Sequence, residues 1–241
     1  RDSVASRGLG DVYKRQVLWK HTNMMLEKPT PEVRRSRRLV VSCFHTVGNY
    51  EYGFYWYFYQ DGTIQMEVKL TGHIGASVMR DGVGTDTSPM VAPMISSPIH
   101  QHLFCFRLDF NLDGTQNTVC ETNVEALPSG PDNPLNSGFR AVTTPFKSES
   151  EAKREVDPAK SRSWKVINAG VRNQVDQPVG YKLLPQSSPV LLSGDESLPA
   201  KRGAFAKHNL WVTPYRSDEL YADAGPFSNL HSGGAGLPAY T

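Results

Sequence analysis

A chain of 241 residues has room for one large domain or two small ones, and all-β architectures often spend that length on one. A formal net charge of +2 gives no strong pull toward nucleic acid or an anionic membrane surface, so neither is expected as a partner. No apolar run approaches the roughly 18 residues that suggest a membrane span.

Residues 1–16, "RDSVASRGLGDVYKRQ", have little apolar periodicity and stop abruptly before "VLWKHTN". They resemble translated sequencing-adaptor sequence and are set aside as non-native, which leaves 17–241 as the domain. The final stretch, "GGAGLPAYT", has no closing element, so both ends read as truncations. Cys43, Cys105 and Cys120 form an odd set without a CxxC pair, and reduced core thiols are the expectation. With no basic-then-apolar leader, the compartment stays open and leans cytoplasmic.

The basic run "RRSRRL", Arg34 to Leu39, reads as a solvated strand entrance rather than a phosphate-binding patch. It leads into a strand at "RLVVSCF". "GFYWYFYQ" and "TIQMEVKL" then form a predicted hairpin around Asp61-Gly62, a turn pair that accepts positive φ. In its second strand Ile64, Met66, Val68 and Leu70 face one way, opposite Gln65, Glu67 and Lys69. "HQHLFCFRLDFNL" is a fourth, unusually long strand. "LPSGPDNPLNSG", Leu127 to Gly138, is a loop inside the domain. "SESEAKREV", Ser148 to Val156, is the one predicted helix, with Ser148 and Glu151 spaced as a capping box. "SWKVINAG" and "HNLWVTPY" are shorter strands. No repeat at solenoid or propeller period is present. The expected fold is therefore all-β, a large β-sandwich with long loops and one short helix.

Two places carry candidate chemistry. His100 and His102 lie two apart on the long predicted strand, so both imidazoles leave the face that continues through Phe104, Phe106, Leu108, Phe110 and Leu112. That face is expected to be buried. Two imidazoles there need partners, and either a shared metal ion or backbone carbonyls would satisfy them. Imidazole suits Zn, Cu, Fe and Ni alike. A cupin would place a Glu shortly after the pair, where Phe106 and Arg107 stand instead. The second place is "TVGNYEYGFYWYFYQDG", Thr46 to Gly62. Tyr50 shares strand parity with Tyr52, Phe54, Trp56 and Phe58, the expected inward set, and composition alone reads it as a core tyrosine.

The surrounding residues change that reading. Thr46-Val47-Gly48-Asn49-Tyr50-Glu51-Tyr52 resembles the T-x-x-N-Y-[DE]-Y motif of the copper amine oxidases, whose first Tyr becomes topaquinone. The family's HxH copper pair follows at the separation seen between Tyr50 and His100. "LWKHTN", "EVRRSRRLVVS", "GFYWYFYQDGTIQMEVKLTG", "PIHQHLFCFRLDFNLDG", "KHNLWVTPY" and "GGAGLPAY" resemble family segments in the same order.

The resemblance implies a primary-amine oxidase catalytic domain that takes a primary amine and O2. By the same resemblance, copper is expected at His100 and His102, and the quinone expected from Tyr50 forms a Schiff base with the amine. Aldehyde, ammonia and hydrogen peroxide are the products. It also implies a homodimer, and an orienting role for Asn49 and Glu51 on the opposite face of the strand. The family's third copper histidine is expected beyond Thr241, and its general base upstream of "WKHTN"; His208 belongs to a different segment and is not nominated. "DFNLDG" is similar to the start of a calcium loop, and relatives hold a peripheral calcium at residues matching Asp109, the Phe110 carbonyl and Asn111. Its closing Glu is displaced, since Cys120 stands where it is needed and Glu121 is one residue late; a solvated acidic turn is the equal alternative. Two rivals to the oxidase are a non-catalytic β-sandwich interaction module and a different HxH metalloenzyme.

Overall fold

Period-two alternation sets the first sheet. In the computed structural model, which describes residues 5–79, 82–186 and 188–217, four antiparallel strands follow in chain order. They are β1 (Ala5–Asn23), β2 (Thr30–Val47), β3 (Tyr50–Tyr59) and β4 (Ile64–Gly72). The hairpin expected around Asp61-Gly62 is present. Gly62 has φ +85°, its amide donates to the Tyr59 carbonyl at 3.2 Å, and the Thr63 amide donates to Asp61 Oδ1 at 2.9 Å. β2 and β3 are joined by Gly48-Asn49 alone, with φ +61° at Gly48. Positive φ at only the first loop position is the pattern of a type II′ turn, whose twist matches the strands it joins.

Register then sorts the side chains. Tyr52, Phe54 and Trp56 of β3 oppose Leu70, Val68 and Met66 of β4, so the apolar positions of both strands share one face. That face was expected to be the buried one, and the deepest burial lies on the other. Tyr57 is 3% exposed and Val40, opposite it on β2, 6%, whereas Phe58, Ile64 and Leu70 are exposed. Long polar side chains close over the tyrosine face. The Arg38 guanidinium lies 3.8 Å from the Tyr57 ring centroid, Lys69 Nζ 4.4 Å from that of Tyr55, and the Tyr57 hydroxyl donates to Glu67 at 2.5 Å. Stems of Arg and Lys cover ring surface while their heads stay polar.

Residues 1–16 were expected to stand apart from the domain. Over residues 5–16 the backbone is instead strand: Ala5 to Tyr13 pair with His45 to Arg37 of β2, and β1 continues through Val17 to Asn23. The edge of β2 offers a row of unpaired amides and carbonyls that an extended chain of almost any sequence can satisfy. Register shifts fall between Tyr13 and Val17 and between Val17 and Trp19, where the sequence changes character. Beyond β4, a small sheet of β5 (Ser77–Val78), β6 (Met90–Ala92) and β7 (Ile95–Ser96) has the order β5-β7-β6. All of these belong to one compact unit, Arg1–His100; Gln101–Thr241 forms a second.

The second unit holds β8 (Thr118–Ala126), β9 (Phe139–Pro145), β10 (Ser163–Arg172) and β11 (Pro178–Leu183) in the order β11-β10-β8-β9. Trp164, 1% exposed, centres an apolar cluster with Phe146 and Ala152, against which Val119, Val156, Leu210 and Val212 pack. Beside it Glu121, 6% exposed, accepts from Arg154 Nε and Nη2 at 2.8 Å each and from Trp164 Nε1 at 3.1 Å, with Arg162 Nε 3.2 Å away. The expected loop at Leu127 to Gly138 joins β8 to β9. Buried Asn133 ties it: its Nδ2 donates to the Leu127 and Pro128 carbonyls, and its Oδ1 accepts from the Ser137 and Gly138 amides.

Three expectations for this half are corrected. Residues 148–156 are a turn at 149–152 between bridge residues 148 and 154, not a helix. Arg154 is drawn to Glu121 and bridges Leu210, and Ala152 and Glu149 are buried, so tertiary contacts override helix propensity. The short helix is elsewhere, α1 (Leu198–Arg202), capped by Ser197 accepting from the Ala200 amide. "HNLWVTPY" contributes only the Leu210 bridge. Residues 100–112, expected as a long buried strand, lie in no ladder among the described residues, and Phe106 and Leu108 are exposed. Side-chain bonds to backbone flank this segment instead, from Gln101 to Val190 and Leu192 and from Arg107 to the Arg216 carbonyl.

Candidate active site

Tyr50 is the first residue of β3, set there by the tight Gly48-Asn49 turn. The Asn49 carbonyl is taken by the His73 amide at 2.8 Å, which ties the turn to the end of β4. Opposite Tyr50 is Gly72, with φ +99°, where an added Cβ would lie 2.4 Å from the Asn49 oxygen and 2.9 Å from the Tyr50 Cα. Only glycine meets both demands. The sheet end is therefore pinched at the backbone around this tyrosine.

Its phenolic oxygen sits between two partners. His100 Nε2 is 3.1 Å away, and the Gly75 amide donates to it at 3.2 Å. The other ring nitrogen of His100, Nδ1, lies 2.8 Å from the Pro98 carbonyl. A carbonyl only accepts, so in the neutral ring Nδ1 carries the proton and Nε2 the lone pair. The Tyr50 hydroxyl donates to that lone pair. An imidazole whose far nitrogen is fixed by a carbonyl and whose near nitrogen is free of a proton is prepared as a metal ligand. The expectation that His100 would be buried is not met: it is exposed.

Tyr52 packs against Tyr50, ring centroids 6.2 Å apart; burial, then the neighbouring Tyr50, pushes its phenol above the usual range. On the opposite face of β3, both oxygens of Glu51 accept from Thr46 Oγ1 at 2.9 Å, a cross-strand bond between paired residues. Asn49 is exposed at the turn. His102 is half-buried in the second unit. His208 Nδ1 lies 2.5 Å from Glu155 Oε1, with the ring edge-on to Trp211. Among the described residues no cluster of three or more His, Cys, Asp or Glu side chains is placed to hold a metal ion. The imidazole chemistry of His100 fits copper among other metals.

At 109–114 the turn satisfies itself. Asn111 Oδ1 accepts from the Gly114 amide at 3.1 Å, and φ is +50° at Asp113 and +125° at Gly114. Asp109 is exposed, Phe110 sits 6.4 Å from the Tyr181 ring, and Glu121 is turned into its arginines. Gly72, Gly75 and Pro98 were not singled out from sequence. The one signal for the glycines was "TGHIG", two glycines closely spaced where an alternating strand ends.

A tyrosine hydroxyl held against the lone pair of an imidazole, at the end of a sheet in an all-β chain, is an oxidisable phenol placed beside a nitrogen of the kind that ligates metals. Comparison with known proteins makes that specific. Residues 13–241 match the family described as copper amine oxidase, enzyme domain. Histamine oxidase of Arthrobacter globiformis is 49% identical over 93% of this chain and 32% of its own length. A peroxisomal copper-containing diamine oxidase of Nicotiana tabacum is 42% identical over 88% of this chain and 27% of its own. The crystal structure of a copper-containing benzylamine oxidase from Hansenula polymorpha superposes with a TM-score of 0.80 at 33% identity, over 99% of this chain and 36% of that one. The chain belongs to the copper amine oxidase family. Its fold is part of that family's β-sandwich, and it spans about a third of the length of these relatives.

Proposed function

We propose that the complete protein is a primary-amine oxidase, converting a primary amine, O2 and water to an aldehyde, ammonia and hydrogen peroxide. The observation that carries this reading is the 3.1 Å approach of the Tyr50 oxygen to His100 Nε2. His100 and His102 would hold copper, with further ligands from outside the described residues. Copper bound there would supply O2-dependent oxidation of the Tyr50 ring to topaquinone, the electrophile that a primary amine needs and no ordinary side chain offers.

The chain's own residues then have separable tasks. The Pro98 carbonyl keeps the His100 proton on Nδ1 and leaves Nε2 for the metal. The Gly75 amide holds the Tyr50 oxygen in place. Thr46 and Glu51, bonded across β2 and β3, stiffen the strand that carries the ring, and Asn49 shares in this through the carbonyl that closes the turn. A calcium held by Asp109, the Phe110 carbonyl and Asn111, a homodimer, and a non-native origin for residues 1–16 complete the proposal; sedimentation of the complete protein with and without a calcium chelator tests the first two.

The central test loads metal-free complete protein with Cu(II) in air and follows visible absorbance, with and without phenylhydrazine to trap a quinone carbonyl. A chromophore that Tyr50→Phe abolishes is the expected result. Undiminished amine oxidation by Tyr50→Phe would overturn the assignment.

A further inference from the structure

Gly75 lies in residues 73–76, between the end of β4 and the start of β5, outside any ladder. A glycine there has wide freedom to rotate both of its peptide planes, yet its amide must point at the Tyr50 oxygen, 3.2 Å away. Something else fixes it. Ser97 Oγ donates to the Gly75 carbonyl at 2.8 Å in a half-buried setting. Ser97 follows directly on buried Ser96, which is paired with Ser77 in the β5–β7 ladder. The serine hydroxyl thus extends a backbone ladder by one side-chain bond and ties down the far plane of Gly75. Its own amide is anchored to the Pro89 carbonyl at 3.1 Å, and the Ile99 amide to the Thr87 carbonyl at 2.8 Å. The same four-residue stretch carries the Pro98 carbonyl that sets the His100 tautomer.

We propose that Ser97 is a positioning residue for the oxidation of Tyr50, acting through Gly75 to hold the phenolic oxygen where the ring must stay during cofactor formation. This rests on the reading of Tyr50 as the cofactor precursor. The physical basis is that a donor fixed in advance costs no reorganisation when negative charge develops on the oxygen it faces. Removing the serine hydroxyl leaves the Gly75 peptide able to turn its amide away, and the Tyr50 oxygen loses a fixed donor.

The test compares Ser97→Ala and Ser97→Thr in the complete metal-free protein, with Tyr50→Phe as control. Two readouts are taken: amide hydrogen exchange at Gly75 before metal is added, and the rate of chromophore formation after Cu(II) is added in air. In Ser97→Ala, Gly75 exchange is expected to quicken and chromophore formation to slow, each by about fivefold, the effect of losing one hydrogen bond's net contribution. Exchange at the Ser77 and Ser96 amides should stay unchanged, and Ser97→Thr, which keeps the hydroxyl, should restore both rates. A wild-type chromophore rate in Ser97→Ala overturns the inference whatever the amide does. Should Ser97→Ala not fold, Tyr50→Phe alone decides: Gly75 exchange unchanged in that variant refutes the contact that Ser97 is held to serve. A chromophore formed by Tyr50→Phe would instead refute the underlying reading.

Discussion

Glu121→Gln removes one charge at the centre of the second unit and keeps the side chain's shape. The carboxylate it replaces is 6% exposed and receives two 2.8 Å bonds from Arg154 and one from the Trp164 indole, with Arg162 at 3.2 Å. Burial by itself pushes this carboxyl up. The bonds from Arg154, Trp164 and Asn123 outweigh it and hold the group at about 2, against an ordinary 4.5. A carboxyl depressed in the folded state stabilises the fold above its unfolded pKa, and that stabilisation fades as pH falls through the folded value. The window here is therefore from about pH 4.5 down to about 2. At 1.36 kcal/mol per unit the linkage is worth about 3 kcal/mol at neutral pH. The amide also takes the Glu121 counter-charge from Arg154 and from Arg162, which keeps Asp157 at 3.7 Å and is 9% exposed at its side chain, so the cost lies toward the roughly 3–5 kcal/mol of a broken buried pair. Urea unfolding of the two proteins, repeated at steps from pH 7 to pH 2.5, measures this directly. The gap should be about 3 kcal/mol or more at pH 7 and shrink steadily below pH 4.5. A gap under about 1 kcal/mol at pH 7, the worth of an exposed pair, or one that ignores pH, would refute the buried-pair reasoning.

Gly72→Ala forces a Cβ to within 2.4 Å of the Asn49 carbonyl oxygen at φ +99°. Left-handed strain alone costs on the order of 1–3 kcal/mol, so thermal unfolding should show at least that loss, and copper-driven chromophore formation should slow because Tyr50 sits opposite. An alanine variant with wild-type stability would mean that the sheet end is looser than its geometry indicates. Tyr57→Phe deletes the hydroxyl that burial, and then the bond to Glu67, push up to about 12. The contribution of that neutral phenol is present below the ordinary value of 10 and is lost as pH rises through about 12. The variant should be about 1–2 kcal/mol less stable at neutral pH, and ultraviolet titration should lose a phenol that titrates at about 12; no change in that titration would contradict the assignment.

Strands whose polar and apolar residues alternate could be read from the sequence, and strands whose buried positions are polar could not. β4 was visible because Ile64, Met66, Val68 and Leu70 alternate with Gln65, Glu67 and Lys69. β8 was not, because its buried residues are Thr118, Cys120, Glu121 and Thr122, and the last three are consecutive, so that both faces of the strand carry buried positions. Nothing local announces that Glu121 will meet an arginine thirty-three positions on. The same long-range pair explains the failed helix at residues 148–156: good helix formers and a capping box were outweighed by what Arg154 and Ala152 reach in the fold. The buried face of β3 was misjudged for a related reason. Hydrophobicity favoured the Phe54 and Trp56 side, while the arginine and lysine stems that cover Tyr55 and Tyr57 count as polar in any sequence pattern.

The candidate site divides along a different line. Tyr50 and His100 were nominated because side chains of their kinds suit the chemistry, at a spacing that a family resemblance could supply. Gly75, Ser97 and the Pro98 carbonyl were not, since two of these three act through backbone atoms that every residue, or every residue but proline, possesses. A backbone donor leaves its trace only indirectly, in the residue that tolerates the required path and the one that pins it. "TGHIG" and "SSP" are such traces: glycine where the chain must pass close to Tyr50, and a serine whose hydroxyl takes up the carbonyl that the glycine would otherwise leave free to turn. The Ser97 variants therefore bear on more than one residue. If removing a hydroxyl two bonds removed from the reacting ring slows that ring's oxidation while the adjoining ladder stays intact, then the precision of this site is set by the peptide planes around it. The cofactor motif would then specify which atoms react, and the unremarked loop after β4 would specify where they are held.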